Sequence, residues 1–352
     1  LRMGSPWAAG IDAAAWRRAW RAAADAPPLV RPAREGLPEF GGAVVDHLLR
    51  HRGLVSPAEA LLATGGTTSA VVELATSGVL PRGTTVAVEE PGYGRAVGAL
   101  RAAGLRVVPA PVDADGLDVD RLPRDVAAVY CTPAHQYPLG GRLPAARRLE
   151  LVRLAREHGF LVIEDDYDGE LRYDVAALPV LAGLGPDVVV HLGTTSKILT
   201  PSLGVGWLVG PPAVREAVAA HRHRTGTGPA AAGQRVFAGL AAHGDLARHL
   251  RRLRRELADR RALLVDALAA TGRRVLGDQA GAHLVVELPD AATEHAVVGA
   301  LRDAGVRCHG LAEYHQARPS RFGLTIGYAG CSRSELQGVL PTVVRTLLTR
   351  SE

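Results

Sequence analysis

Lys197, in "GTTSK" (193–197), is the only lysine of this sequence and the first residue with a chemical role to explain. Lys and Arg together number 41, and every other one is arginine. An arginine guanidinium stays protonated, whereas a desolvated lysine amine can lose its proton and attack a carbonyl carbon to form a Schiff base. Lys197 is therefore a candidate covalent residue. The alternative is that one lysine survived a composition bias by chance.

An acidic run follows an apolar stretch in "VIEDDYDGELRY" (162–173). Ligands bind beyond the carboxyl ends of strands in open α/β sheets, and a buried carboxylate there needs a partner. A pyridine nitrogen suits Asp165, because an aspartate keeps that nitrogen protonated. Tyr167, on the same side of an extended chain, is placed to donate to a ring hydroxylate. Taken alone, the run also fits a helix cap or a metal-binding cluster.

Three more segments follow candidate strands and have side chains or backbone groups suited to a flat, phosphorylated ligand. The turn in "TGGTTSAVVELATSGV" (64–79) leads into a helix whose N-terminal N–H groups suit a phosphate, although Thr67 or Thr68 as a simple N-cap is the alternative. Tyr93 in "EEPGY" (89–93) is placed either to stack on a ring or to pack half-buried. The loop "CTPAHQYPLGG" (131–141) contains His135 and Gln136 and can reach over a cofactor.

Short apolar runs alternate with helical patterns along most of the chain. The runs 84–90, 127–131, 160–166, 188–194 and 205–210 predict strands, and 145–159 and 211–224 predict helices. This order predicts an α/β fold with a mostly parallel central sheet flanked by helices. A long helix from about 234 to 270 then leads into a smaller α+β unit. We expect an N-terminal helix and arm (1–40), a large domain (41–233) and a small C-terminal domain (234–352).

Composition narrows the function classes. The 47% of hydrophobic residues fits a soluble globular protein, and no apolar run approaches the ~20 residues of a membrane span. Three cysteines without CxxC spacing suggest neither a zinc site nor a disulfide framework, so we expect a cytoplasmic protein without a metal. The net charge of +5 lies largely in an Arg-rich helix, 248–261, with expected pairs Glu256–Arg260 and Arg255–Asp259. A solvated helix face is favoured over a DNA-binding surface there.

The motifs together resemble those of a known family. "TPAHQYPLG", "IEDDYDGELRY" and "GTTSK" are similar to segments of the aminotransferase-like domain of MocR/GntR-type transcriptional regulators, which have the aspartate aminotransferase fold (fold type I). The resemblance covers nearly the whole chain. It implies a pyridoxal 5'-phosphate cofactor, an amino acid or amine as effector or substrate, and a homodimer. DNA binding would belong to a winged-helix domain upstream of Leu1, outside this sequence.

The resemblance also implies a role for each site residue. Lys197 would be the covalent lysine, Asp165 the partner of the pyridine nitrogen and Tyr167 the partner of the ring oxygen. Tyr93 would stack on the ring, and His135 or Gln136 would line it. The residues expected around the phosphate are Gly66, Thr67, Thr68, Thr194 and Ser196.

Three departures from the family pattern concern arginines. Gly204 stands where an arginine ordinarily holds the phosphate, and Gly41 stands where another arginine is common. The strand "GLTIGYAG" has no arginine for a substrate carboxylate, so Arg321, or Arg318, is the expected substitute. These losses favour an effector-sensing domain of a regulator over the alternative, a free-standing aminotransferase acting on an amino acid or amine.

Overall fold

The computed structural model describes residues 1–173 and 179–349, and this part of the chain contains twelve strands and eleven α-helices. The strands are β1 Leu61–Thr64, β2 Thr85–Glu90, β3 Arg106–Asp113, β4 Gly116–Leu117, β5 Ala128–Cys131, β6 Leu161–Asp166, β7 Val189–Thr194, β8 Gly206–Val209, β9 Val275–Leu276, β10 His283–Leu288, β11 His309–Gly310 and β12 Phe322–Gly327. The helices are α1 Ala13–Asp25, α2 Pro38–Arg52, α3 Thr67–Thr76, α4 Gly94–Ala102, α5 Ala145–His158, α6 Leu181–Leu184, α7 Pro212–Thr225, α8 Ala231–Ala242, α9 Asp245–Ala269, α10 Ala291–Asp303 and α11 Arg333–Thr349.

Eight strands form the larger sheet in the order β1-β8-β7-β6-β5-β2-β3-β4. Strands β7, β6, β5, β2 and β3 pair in parallel, whereas β8 is antiparallel to both of its neighbours. The predicted mostly parallel sheet is thereby confirmed. Because β1 runs in the same direction as β7, the carboxyl ends of β1, β2, β5, β6 and β7 meet at one edge of the sheet.

The five predicted strands agree with β2, β5, β6, β7 and β8 to within one residue at each end. Every residue of β5, β7 and β8 is buried. A strand that is covered by helices on both faces reads as a continuous apolar run, and this is why the pattern was visible in the sequence. The sequence pattern did not reveal β1 and β3.

The smaller sheet is antiparallel, with the strand order β11-β12-β10-β9, and α10 packs against it. The expected single helix from 234 to 270 is wrong, because α8 ends at Ala242 and α9 begins at Asp245. Between them Gly244 has φ +67°, a left-handed conformation that turns the chain. The expected domain boundaries after residues 40 and 233 fall within α2 and α8, and the division into domains stays a prediction.

Helix α9 carries the Arg-rich segment. Its leucines form a buried stripe, and the expected pair Glu256–Arg260 is present at 2.9 Å. The second expected pair is wrong, since Asp259 instead bonds Arg333 at 2.7 Å. Arg260 is itself buried and donates to the carbonyl oxygen of Ala329 at 2.9 Å. Among the residues described, no helix has both the length and the hydrophobicity needed to cross a membrane.

Buried ion pairs fix the segment that follows β6. Arg52, at the end of α2, donates to both carboxylate oxygens of Asp166, at 2.5 and 3.0 Å, and to the carbonyl oxygen of Gly169 at 3.1 Å. His47, on the same helix, contacts Glu170 at 2.8 Å. Each buried charge has a partner, which burial of a charge requires. Helix α2 therefore holds the chain in place just beyond the carboxyl end of β6.

We predict that Arg52→Leu destabilises the protein far more than Arg50→Leu. Loss of Arg52 leaves Asp166 buried without its partner, which costs roughly 3–5 kcal/mol. Arg50 is on the same helix, and its pair with Asp46 is exposed (68% and 58% of the side chains), so we expect a change below about 1 kcal/mol. Urea unfolding of the two variants measures both values. Equal losses would contradict a stabilising role for the buried pair.

Candidate cofactor and ligand site

A cavity of about 580 Å³ lies at the carboxyl edge of the larger sheet. Its lining brings together nine of the predicted site residues, from four separate segments of the chain. They are Gly66, Thr67, Thr68, Tyr93, Asp165, Tyr167, Thr194, Ser196 and Lys197. Parallel strands with a common carboxyl edge explain the convergence, because each of these segments follows or ends a strand of that sheet.

Lys197 lies three residues beyond β7 and is half-buried. Its Nζ donates to the carbonyl oxygen of Gly4 at 2.8 Å. Desolvation lowers the pKa of Lys197, while the charges of Asp168 and Asp165 oppose the shift. A lowered pKa makes the neutral, nucleophilic amine available at a lower pH than for a solvated lysine.

Asp165 is buried at the end of β6, with its two carboxylate oxygens in different surroundings. The hydroxyl of Tyr130, on the neighbouring strand β5, donates to Oδ2. Oδ1 is buried without a hydrogen-bond partner among the described residues. Burial raises the pKa of Asp165 to about 7. A cationic N–H from a ligand would satisfy Oδ1 and favour the charged carboxylate, so the residues present fit a protonated pyridine nitrogen.

The N-terminus of α3 forms the end of the cavity suited to a phosphate. Gly66 is the N-cap with φ +108°, and no side chain in the described part of the chain caps the helix, so the alternative of a Thr67 or Thr68 cap is not found. A Cβ on Gly66 would lie 3.4 Å from Oγ1 of Thr194, which itself is 3.0 Å from Oγ of Ser196. Uncapped backbone N–H groups beside hydroxyls fit the phosphate of the cofactor.

Tyrosines form much of the remaining wall. Tyr137 contacts Tyr93, Tyr167 and Tyr314 edge-on, with ring centroids 5.6, 5.8 and 5.4 Å apart. The hydroxyl of Tyr93 lies 3.1 Å from Oγ1 of Thr68. Sequence reasoning identified Tyr93 and Tyr167 as site residues and assigned no role to Tyr137, although it lies in a loop already singled out. Tyr314 belongs to the smaller unit, and the sequence around it gives no indication that it lines the cavity.

His135 and Gln136 do not line the cavity. His135 is buried behind it, where Nδ1 lies 2.9 Å from Asp168 and the backbone oxygen accepts a hydrogen bond from Tyr167 at 3.0 Å. Gln136 donates to the carbonyl oxygens of Pro91 and Tyr137, at 3.0 and 2.8 Å. Both side chains are drawn inward by these hydrogen bonds and hold the loop and Tyr167. His135, Asp168 and His283 each have one potential metal-ligand atom (a ring nitrogen or a carboxylate oxygen) within 4.8 Å of the other two.

The structure separates the expected arginine positions from the cavity. Arg321 donates to Glu287 at 2.7 Å and lines a different cavity, beside Gly140 and Asp278. Gly204 is exposed, has φ +58° and is not part of the lining. Arg95 and Arg2 do line the cavity, and sequence reasoning missed both. Arg95 follows Tyr93 by only two residues, and this proximity in the sequence could have identified Arg95 as a residue of the cavity wall.

The fold is that of the pyridoxal-phosphate-dependent fold type I class. The crystal structure of kynurenine aminotransferase from Pyrococcus horikoshii, in complex with PMP, superposes with a TM-score of 0.89 at 23% identity, covering 100% of this chain and 91% of that one. At this identity the likeness is one of fold.

Sequence comparison gives the family. The family model "Aminotransferase class I and II" matches residues 11–342, and the chain belongs to that family. It is 34% identical to the HTH-type pyridoxine biosynthesis transcriptional regulator PdxR of Corynebacterium glutamicum, over 97% of this chain and 75% of that protein. It is 32% identical to the probable rhizopine catabolism regulatory protein MocR of Rhizobium meliloti, over 84% of this chain and 61% of that protein. The chain is thus an aminotransferase-like domain homologous to MocR/GntR-type regulators, as its motifs indicated.

We predict that Asp165→Asn stabilises the cofactor-free protein at pH 8. The folded-state pKa of Asp165 is about 7, above the ordinary 3.8, so its contribution to stability is full below pH 3.8 and is lost as the pH rises to about 7. An asparagine does not ionise, and we expect a gain of roughly 1–3 kcal/mol at pH 8 that shrinks towards pH 5.

The neighbouring carboxylate supplies the control. Asp166→Asn weakens the buried pair with Arg52, so it should lower the free energy of unfolding at both pH values. Urea unfolding at pH 5 and pH 8 compares the wild type with both variants. A loss of stability in Asp165→Asn at pH 8 would show that Asp165 is satisfied without a ligand.

Proposed function

We propose that this chain binds pyridoxal 5'-phosphate through Lys197 and serves as the effector-sensing domain of a MocR/GntR-type transcriptional regulator. One observation carries the cofactor proposal: the buried Oδ1 of Asp165 has no partner among the described residues and belongs to the same cavity as the only lysine. A buried acceptor left unsatisfied costs about 1–3 kcal/mol, and a ligand with a cationic N–H removes that cost.

The residues that would hold the cofactor follow from the cavity wall. Asp165 would face the pyridine nitrogen, and Tyr93 would lie against the ring. The phosphate would bind at the N-terminus of α3, beside Thr194 and Ser196. When bound, pyridoxal 5'-phosphate supplies an electrophilic carbonyl carbon and an electron-withdrawing ring.

Lys197 and Tyr167 each donate a hydrogen bond to a backbone oxygen, and each must give up that bond before it can act on a ligand. The Lys197 ammonium donates to the Gly4 carbonyl oxygen, so reaction of the amine with a carbonyl requires that it leave this contact and lose its proton. The Tyr167 hydroxyl donates to the backbone oxygen of His135. Tyr167 must exchange that hydrogen bond to donate to a ring oxygen, its proposed role.

Two observations support the proposal of a regulator: the similarity to PdxR and MocR, and the position of Arg321 outside the cavity. PdxR and MocR are longer than the aligned region, and we propose that a winged-helix domain upstream of Leu1 binds DNA in the whole protein. The effector would be an amino acid or amine. We also propose a homodimer, since an isologous contact is the common solution for this kind of assembly. Arg321, the expected carboxylate-binding residue, pairs with Glu287 outside the cavity, which favours sensing over transamination.

We predict that pyridoxal 5'-phosphate labels Lys197. Purified protein mixed with the cofactor should gain visible absorbance, and borohydride reduction followed by peptide mass spectrometry should place the label on the single lysine peptide. Lys197→Arg keeps the charge but has no amine able to form a Schiff base, so it should bind no cofactor covalently. Cofactor retained by the wild type on another residue would contradict the assignment.

We predict that an effector changes the spectrum of the cofactor-loaded chain without turnover. A panel of amino acids and amines is added to the loaded protein, and both the visible spectrum and the release of a 2-oxo acid or aldehyde are measured. For a sensor we expect a spectral change with less than one product molecule per site. Repeated turnover would replace this proposal with the alternative, a free-standing aminotransferase.

A further inference from the structure

Three buried residues behind the cavity that contains Lys197 carry side chains able to bind a metal ion. His135, Asp168 and His283 are only 1%, 3% and 4% exposed. One ring nitrogen or carboxylate oxygen of each lies within 4.8 Å of the corresponding atoms of the other two. In the described part of the chain no other group of three or more such side chains is found. None of the three lines the cavity that contains Lys197.

The group lies where the two sheets of the molecule meet. His135 is in the loop after β5, and Asp168 lies two residues beyond β6, so both belong to the larger sheet. His283 is the first residue of β10, in the smaller sheet. The rings of His135 and His283 lie with their centroids 4.8 Å apart. An ion bound by all three side chains would therefore join the two sheets.

His283 is held in a tautomer that suits a metal ligand. Its Nε2 lies 3.1 Å from the carbonyl oxygen of Pro138. A carbonyl oxygen only accepts hydrogen bonds, so Nε2 carries a proton, and in the neutral ring Nδ1 has a free lone pair. Metal-binding histidines usually donate the other ring N–H to a backbone carbonyl or a carboxylate, which fixes the direction of the lone pair.

Asp168 is a buried carboxylate without a full partner. Its Oδ2 lies 2.9 Å from Nδ1 of His135, and its Oδ1 has no hydrogen-bond partner among the described residues. No arginine or lysine in that part of the chain forms an ion pair with it. Buried carboxylates are generally paired with a cation or coordinate a metal. Two zinc ligands at about 2.0–2.2 Å from the ion lie roughly 3.3 Å apart, so an ion could bridge His135 and Asp168 after a small shift.

Glycines surround the group where larger side chains would obstruct it. A Cβ on Gly281 would lie 2.8 Å from Oδ2 of Asp168, and a Cβ on Gly140 would lie 3.0 Å from Nε2 of His135. Gly140 also lines the second cavity, the one that Arg321 lines. Only the backbone of this glycine therefore separates His135 from that cavity, which gives an ion a short path to the group.

We propose that His135, Asp168 and His283 bind a divalent transition-metal ion, zinc in the first place, which joins the two sheets behind the cavity that contains Lys197. Two imidazoles and a carboxylate are ligands that zinc prefers, whereas magnesium takes oxygen ligands. The expectation of a protein without a metal was drawn from the cysteines. Ligands from three distant segments have no spacing that the sequence could reveal.

The test uses the whole chain, free of cofactor and stripped of metal with a chelator that is then removed. Zinc binding is measured by calorimetry and by the melting temperature in the wild type, His283→Gln, Asp168→Asn and His249→Gln. His249 is the matched control, because it is buried and its Nε2 also donates to a backbone oxygen, that of Ile198 at 2.8 Å. It belongs to no group of potential ligands among the described residues. Magnesium is titrated as a second control.

We expect the wild type to bind one zinc ion per chain and to melt several degrees higher when zinc is present at about 100 times its Kd. Loss of one ligand in His283→Gln or Asp168→Asn should weaken zinc binding about tenfold or more and remove most of that rise. His249→Gln should behave like the wild type. Magnesium should leave the melting temperature unchanged, because two of the three ligands are nitrogen atoms.

Either of two results overturns the proposal. The first is a wild type that binds no zinc. The second is equal zinc binding by the wild type, His283→Gln and Asp168→Asn, which would assign the ion to histidines elsewhere on the chain.

Anomalous scattering at the zinc absorption edge, from wild-type crystals grown with zinc, gives a test that does not require the variants to fold. A peak among the three side chains supports the proposal, and peaks only elsewhere overturn it. None of these measurements involves pyridoxal 5'-phosphate, so their outcome is independent of the proposed function.

Discussion

Two adjacent carboxylates at the end of β6, satisfied in different ways, are the constraint on which the rest of the site depends. Asp166 has both oxygens bonded to Arg52. Among the described residues, Asp165 receives a hydrogen bond only from the Tyr130 hydroxyl, and its Oδ1 has no partner. Burial without a full partner is costly, and proteins retain such groups mainly at functional sites. In this fold Asp166 forms a complete ion pair with a structural role, whereas Asp165 keeps one oxygen that a ligand can bind.

The surroundings of β6 hold this asymmetry in place. Beneath the cavity, His191 on β7 contacts Glu164 at 3.2 Å, and Glu164 also accepts hydrogen bonds from the backbone N–H groups of Leu181 and Ala182. With the bonds from α2, these contacts immobilise both sides of the strand. With the neighbouring residues of β6 held and the Tyr130 hydroxyl bonded to Oδ2, the Asp165 carboxylate already faces the cavity before any ligand arrives. Preorganisation of this kind lowers the ordering cost of binding.

The sequence predicted the parts of the site that are local to strand ends. Asp165, Tyr167, Tyr93 and Lys197 were found because buried parallel strands read as apolar runs, and their carboxyl ends share one edge. Contacts between distant segments carried no such signal. The bond from Lys197 to Gly4 joins residues 193 positions apart, and the break between α8 and α9 depends on the conformation of one glycine. The inward turn of His135 and Gln136 likewise depends on partners elsewhere in the chain.

An aminotransferase active site both holds the cofactor and orients the substrate carboxylate. In this chain the positions of the arginines affect these two tasks differently. Holding the cofactor needs the lysine, the strand-end aspartate and the N-terminus of a helix, and the chain has all three in one cavity. Orienting a substrate carboxylate for repeated turnover needs a further fixed cation, and Arg321 is engaged by Glu287 in another cavity. A sensor needs only a ligand-dependent change in binding energy, without any stabilisation of a transition state. Under the proposed function, the losses at Gly204 and near the end of the chain therefore remove two arginines that are usual in the family without removing what sensing requires.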